Sequence, residues 1–184
     1  MGVDAYKAVC MNLTNEDVKL LCCAVLLILV MGLLSAPVPA ADDARQKSVA
    51  ERGAKVMPFS LAQTQHQFSK TATGGMQRVI ARDDLNLEQV WLIRQHLEQL
   101  AASFKQGDFS GPESIHGADM PGLAEMRGAK PGLLQIDYTA EAAGASLTFQ
   151  SRDQQLINAV HDWFDAQLHD HGRDAMDMHC PRHQ

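Results

Sequence analysis

Beyond residue 57 the hydrophobic positions change period twice, in the same order each time. Thr64, His66 and Phe68 alternate, and Gln77, Val79 and Ala81 alternate again after a Gly74-Gly75 pair. That is the period-2 pattern of two strands joined by a turn. Val90, Ile93, Leu97, Leu100 and Phe104 then recur at steps of three and four, the stripe of an amphipathic helix. Asp83 or Asp84 stands ready to cap its start. The second half repeats the same plan. Leu134, Ile136 and Tyr138 alternate, Gly144 turns the chain, and Leu147 and Phe149 alternate. Ile157, Val160, Phe164 and Leu168 mark a second helix that Gly172 stops. Two strand-strand-helix units predict an α+β domain: a four-stranded antiparallel sheet with two helices on one face. The halves repeat in architecture, without enough shared residues to claim duplication. Between them, Lys105 to Gly132 is rich in Gly, Pro and Asp. It reads as a long ordered loop with one short helical turn near Gly122 to Met126, and loops of that length are often functional.

The amino end breaks this pattern. Leu20 to Leu34 is an unbroken apolar run, and Val38 and Ala40 have small side chains suited to signal peptidase. Residues 1–40 therefore read as an export signal cut before Ala41. Asp4, Glu16 and Asp17 set against Lys7 and Lys19 make an unusually unpositive start, so a signal anchor in the inner membrane is the alternative, although the run is short of the roughly 20 residues a span needs. The expected location is periplasmic or secreted, with membrane contact only through an uncleaved signal. Residues 41–56 are polar without an apolar stripe and read as a flexible lead or at most a short helix, 57–172 as the folded domain, and 173–184 as a tail. Cleavage would remove Cys10, Cys22 and Cys23 and leave Cys180 as a lone thiol, so no internal disulfide is expected. The formal net charge of -6, with no block of Lys or Arg, argues against a nucleic-acid partner, which requires a basic surface.

The stretches "TQHQF", "GGMQRVIARD", "GDFSGPESIHGADMPGL" and "WFDAQLHDHG" together resemble a family of small exported bacterial proteins whose members often carry the label aspartate carbamoyltransferase. The resemblance spans roughly Pro58 to Gly172 and implies no established catalytic residues. The label itself does not fit the residues. A carbamoyltransferase is about twice this length and carries a Ser-Thr-Arg-Thr phosphate loop and a His-Pro pair, and neither motif occurs here. No Arg cluster or Gly-rich loop opening a helix is present to cradle the dianion.

Candidate chemistry gathers on histidines. His161, Asp165 and His169 are spaced i, i+4, i+8 on one helix face, and His171 comes at the helix end. This is first the pattern of a solvated polar face with an i, i+4 His-Asp pair, and two imidazoles flanking a carboxylate also suit a metal ion. In the loop "IHGADMPG", His116 and Asp119 are three apart and could share an ion; Met120 reads as core filler. Met176, Met178, His179, Cys180 and His183 form a tail of soft and borderline ligands that suits copper, and less specifically zinc; it matches no structural zinc spacing. His66 reads as a half-buried strand histidine, and His96 is given no role. No Gly-x-Ser-x-Gly elbow, phosphate loop or dinucleotide fingerprint is present.

The expectation is a non-enzymatic exported protein that binds a transition metal, copper first, for buffering or delivery. His116, His161, His169 and His171 would supply a core site and the tail a looser one. Two alternatives stand beside it: a small exported enzyme using His116 or His161 as acid/base, and a protein-binding module without catalysis.

Overall fold

The computed structural model describes residues 39–178. The proposed export signal, apart from its last two residues, and the tail residues His179, Cys180 and His183 lie outside the described residues. The chain divides between Ala40 and Ala41, and the fold is that of the unit from Ala41 onward. No helix among the described residues is long and apolar enough to cross a membrane.

The first element is neither a flexible lead nor a short helix: residues 41–56 belong to a longer one. Pro39–Val56 is a helix of 18 residues, α1. It has almost no apolar stripe, with Val49 its one buried hydrophobic, and it docks through the polar side chains of Arg45, Gln46 and Arg52.

Strands β1 (Thr64–Thr71) and β2 (Gly74–Ala81) pair antiparallel as expected, and helix α2 (Leu87–Lys105) comes next. Asn86, rather than Asp83 or Asp84, caps α2 by accepting from the Gln89 backbone N–H. The turn lies one step earlier than the glycines: Gly74 and Gly75 open β2. They are small because of what crosses them. A Cβ on Gly75 would stand 2.5 Å from the Phe164 ring and 2.6 Å from the Ser69 carbonyl oxygen. Gly144 likewise opens its strand instead of turning the chain, pressed against the Val79 carbonyl.

The long loop is more ordered than its composition predicts. It forms two short helices, α3 (Ser110–His116) and α4 (Leu123–Arg127). The second coincides with the expected helical turn. The first tolerates Pro112 because it sits in the opening turn, where its missing N–H would have had no helical partner. Strands β3 (Leu134–Glu141) and β4 (Gly144–Ser151) then pair antiparallel, and α5 (Gln154–His171) runs to Gly172, with Asp153 accepting from the Gln155 N–H at its start.

The α+β class holds, but the four-stranded antiparallel sheet becomes a five-stranded mixed one, in order β3-β4-β2-β1-β5. The added strand, β5 (Ala175–Asp177), comes from the supposed tail and lies parallel to β1, with His66 opposite Ala175 and Phe68 opposite Asp177. Helices α2 and α5 share one face: Phe149 of β4 meets Phe104 of α2 and both Trp163 and Phe164 of α5. Cross-strand register puts His66 opposite Val79 and Phe68 opposite Gln77, so His66 points into that helix-covered side along with Phe68 and Val79, which are all buried.

Candidate functional site

Three imidazoles from three elements meet at the β1 end of the core. His66 comes from β1, His116 from the last residue of α3, and His171 from the last residue of α5. The His66 and His171 rings stack with centroids 4.9 Å apart and planes 7° from parallel. His116 meets His171 edge to face at 5.1 Å and 75°. His66 and His116 are each only 4% exposed.

A carboxylate and a guanidinium complete the cluster. His116 Nδ1–H donates to Asp170 Oδ2 at 2.8 Å, and the two side chains are 2% and 1% exposed. Arg45 of α1 grips the same carboxylate with two nitrogens, its Nη2 at 2.8 Å from Oδ2, and donates also to the His116 carbonyl at 3.3 Å. A two-pronged guanidinium–carboxylate contact of this kind fixes orientation as well as charge. Beside them Arg52 holds the Ile115 carbonyl and Gln46 the His169 carbonyl, so α1 is laced to the ends of α3 and α5. His171 Nε2–H donates to Gln167 Oε1 at 3.1 Å.

These contacts decide which nitrogens remain for chemistry. With Nδ1 committed to Asp170, His116 keeps its lone pair on Nε2. With Nε2 committed to Gln167, His171 keeps its lone pair on Nδ1. Neither nitrogen of His66 has a hydrogen-bond partner among the described residues. All three rings are held neutral near pH 7. Burial pushes His66 down to about 4, helped by the charges that His116 and His96 would carry. Burial, then His66 and His116, push His171 well below its usual value. Burial lowers His116 as well, and outweighs the hydrogen bond to Asp170 that favours its charged form. Burial would raise the Asp170 carboxyl, but the hydrogen bonds from Arg45 and His116 hold it below the ordinary range.

No family model, no curated protein and no solved structure matches this chain. The chemistry open to the site is therefore argued from its own geometry.

The residues expected from the sequence divide into two groups. His116 and His171 come together. His161 does not join them: its Nε2–H is directed at the Thr71 and Gly74 carbonyls, at 3.0 and 2.8 Å, and so pins the β1–β2 turn to α5. Asp165 pairs with Lys70 at the surface. His169 faces Asp42 at 3.5 Å with both side chains more than half exposed. Asp119 is exposed, and the carboxylate beside His116 is Asp170 instead. Met120 is core filler at 3% exposure. Met176 lies in β5, and Met178 is exposed at its end.

The residues given no role in the site beforehand are His66, read as a half-buried strand histidine but in fact buried, and Asp170, Arg45 and Gln167. Part of their signal was present. Asp170 and His171 fall seven residues after Trp163 and Phe164, and so continue the buried stripe of α5. His66 alternates with Phe68 on the inner face. Arg45 left no trace in the pattern, because a polar helix does not announce what it docks against.

Two cavities adjoin the cluster. An open one of about 550 Å3 has His66, Asp170 and His171 on its floor and Gln46, Lys47 and Arg173 at its rim. A small inner one of about 30 Å3 lies behind, walled by His66, His116, His171 and Gln167 among others. His66 and His171 line both. Among the described residues, no three His, Cys, Asp or Glu donors already stand in ligating geometry. The stack gives the reason. An ion lies in the plane of each imidazole that binds it, and two rings lying parallel do not direct lone pairs at one point.

Proposed function

We propose that this protein binds a transition-metal ion, copper or zinc, through His116 and His171, with His66 turning out of its stack to become the third donor. The observation that carries the reading is the edge-to-face meeting of His116 and His171 at 5.1 Å. Two imidazoles sharing a tetrahedral ion, with metal–nitrogen bonds of about 2.0–2.1 Å, stand with their centroids about 5 Å apart. Three further features support it. The rings are neutral, so an ion need not displace protons from them near pH 7. His116 is oriented through Nδ1 by a carboxylate, the arrangement that commonly steadies a metal-bound imidazole. Arg45 balances the charge of that carboxylate, which keeps the apo site stable. With residues 1–40 read as an export signal, the role is metal buffering or delivery outside the cytoplasm.

Titration of the purified full chain with copper and with zinc tests the reading. His66→Ala, His116→Ala and His171→Ala should each weaken binding at least tenfold, and His161→Ala and His169→Ala should not. Binding that survives all three cluster substitutions but disappears in a chain ending at Met178 would assign the ion to the tail and overturn the cluster.

One observation favours a second reading, a small enzyme or ligand binder. The open cavity lies within the roughly 300–1,000 Å3 of ordinary small-molecule sites, with a neutral imidazole and a carboxylate on its floor. The acid/base would then be His171, since His161 is engaged by the hairpin and His116 lies behind the cavity wall. Thermal-shift screening of the metal-free chain against small polar compounds separates the readings: hits lost in His171→Gln favour the second.

A further inference from the structure

The inner cavity carries a separate signal. Three buried polar atoms have no hydrogen-bond partner among the described residues: Gln77 Oε1, His96 Nε2 and Trp163 Nε1. They come from β2, α2 and α5, and all three side chains line this one small cavity. Gln77 is 7% exposed and Trp163 1%, so neither reaches bulk solvent. Buried polar groups are almost always satisfied, and three orphans on side chains that line one space point to a common guest.

Their chemistry defines that guest. Trp163 Nε1–H can only donate, and Gln77 Oε1 can only accept. A bare cation would satisfy the glutamine and be repelled by the indole N–H; an anion would do the reverse. A molecule with both a hydroxyl hydrogen and an oxygen lone pair satisfies both. The volume of about 30 Å3 has room for about two molecules the size of water, each needing roughly 10–15 Å3.

The cavity also has a second side. His96, Leu100 and Gly111 line both it and a surface cavity of about 200 Å3 beside Ser103 and Asp108. His66 and His171 separate it from the large front cavity. We propose that the inner cavity is a hydration site. About two water molecules bridge Trp163 Nε1, Gln77 Oε1 and His96 Nε2, and they exchange with solvent past His96 rather than through the front. The inner edges of the three clustered imidazoles then have their own supply of water, separate from whatever occupies the front cavity. This holds whether or not an ion binds.

Water-17O magnetic relaxation dispersion on the full chain counts long-lived internal waters and times their exchange. The double variant Gln77→Met/Trp163→Phe should lose about two of them, and the same dispersion in a folded double variant would overturn the proposal. If circular dichroism shows the double variant unfolded, Trp163→Phe alone removes only the donor; loss of about one water then supports the site, and no loss overturns it. Leu100→Trp, at the boundary with the surface cavity, should keep the waters but lengthen their residence several-fold. Unchanged residence in Leu100→Trp, with lengthening instead in Leu61→Trp at the front, would overturn the route.

Discussion

His66 lies flat against His171, one from the first strand and the other from the last turn of the last long helix. Two imidazoles stack this way comfortably only while both are neutral. Around His66 stand His116 from α3, His171 and Asp170 from α5, His96 from α2, and Arg45 from α1, which is already paired with Asp170. A proton on His66 would therefore place a second positive charge beside neighbours with no free carboxylate to offset it.

Acid should therefore loosen the fold in a defined window. The unfolded chain protonates His66 near 6.5, and the folded ring only near about 4. Between those values unfolding takes up a proton, so stability is complete above about pH 6.5 and falls as the pH drops toward 4. A shift of this size is worth on the order of 3 kcal/mol from His66 alone, and His116 and His171 act in the same direction. Urea midpoints measured from pH 7 to 4 should decline, and should decline less steeply in His66→Gln. A flat profile in the native chain would refute this.

Asp170→Asn should be among the more damaging single substitutions. It removes the charge from a carboxylate 1% exposed and leaves His116 and Arg45 without their common partner. Breaking a buried pair on one side costs about 3–5 kcal/mol. Arg45→Ala should cost less, since the arginine is 45% exposed and His116 still donates to the carboxylate. Chemical denaturation of the two variants gives the comparison, and equal losses would contradict this picture.

Gly122→Ala should destabilise through two causes at once. Gly122 has φ of 75°, and a Cβ there would stand 1.9 Å from the Ala159 carbonyl oxygen of α5. Backbone must move apart where α4 leans on α5, at a cost of about 1–3 kcal/mol for the overpacking and more for the left-handed φ. A thermal melt within a degree of the native chain would contradict that close approach.

Two truncations should differ sharply. A chain ending at Gly172 loses β5, including the hydrogen bond from Met178 N–H to the Phe68 carbonyl at 2.9 Å. Two or three ladder bonds at about 1 kcal/mol each and a newly bare β1 edge should lower stability and promote self-association. A chain ending at Met178 should fold like the full one. Denaturation and light scattering on both measure the contrast, which also shows where to cut when the metal capacity of the tail is tested.

The hairpins, α2, α5 and the helix-covered face were legible in the sequence because each buries one face, and burial writes a period into the residues. Three elements were not. α3 has only seven residues, too few to set a period against its Gly and Pro. α1 buries little besides Val49 and is held by Arg45, Gln46 and Arg52, so it has no stripe to read. β5 is three residues long and exists only because the chain returns to β1. The site shows the same limit. The spacing of His161, Asp165 and His169 correctly described one face of α5, but the side facing His66 and His116 carries Gln167, Asp170 and His171. Only the buried stripe through Trp163 and Phe164 distinguished the two.

Arg45 stands near the start of the folded unit, and Asp170 and His171 near its end. The cluster they share is thus a clasp between the two ends of the domain. It cannot close on a partly made chain, however well the sheet between has formed, and any ligand seated there draws both ends together. Fraying at either end and occupancy of the imidazoles are therefore opposing sides of a single equilibrium.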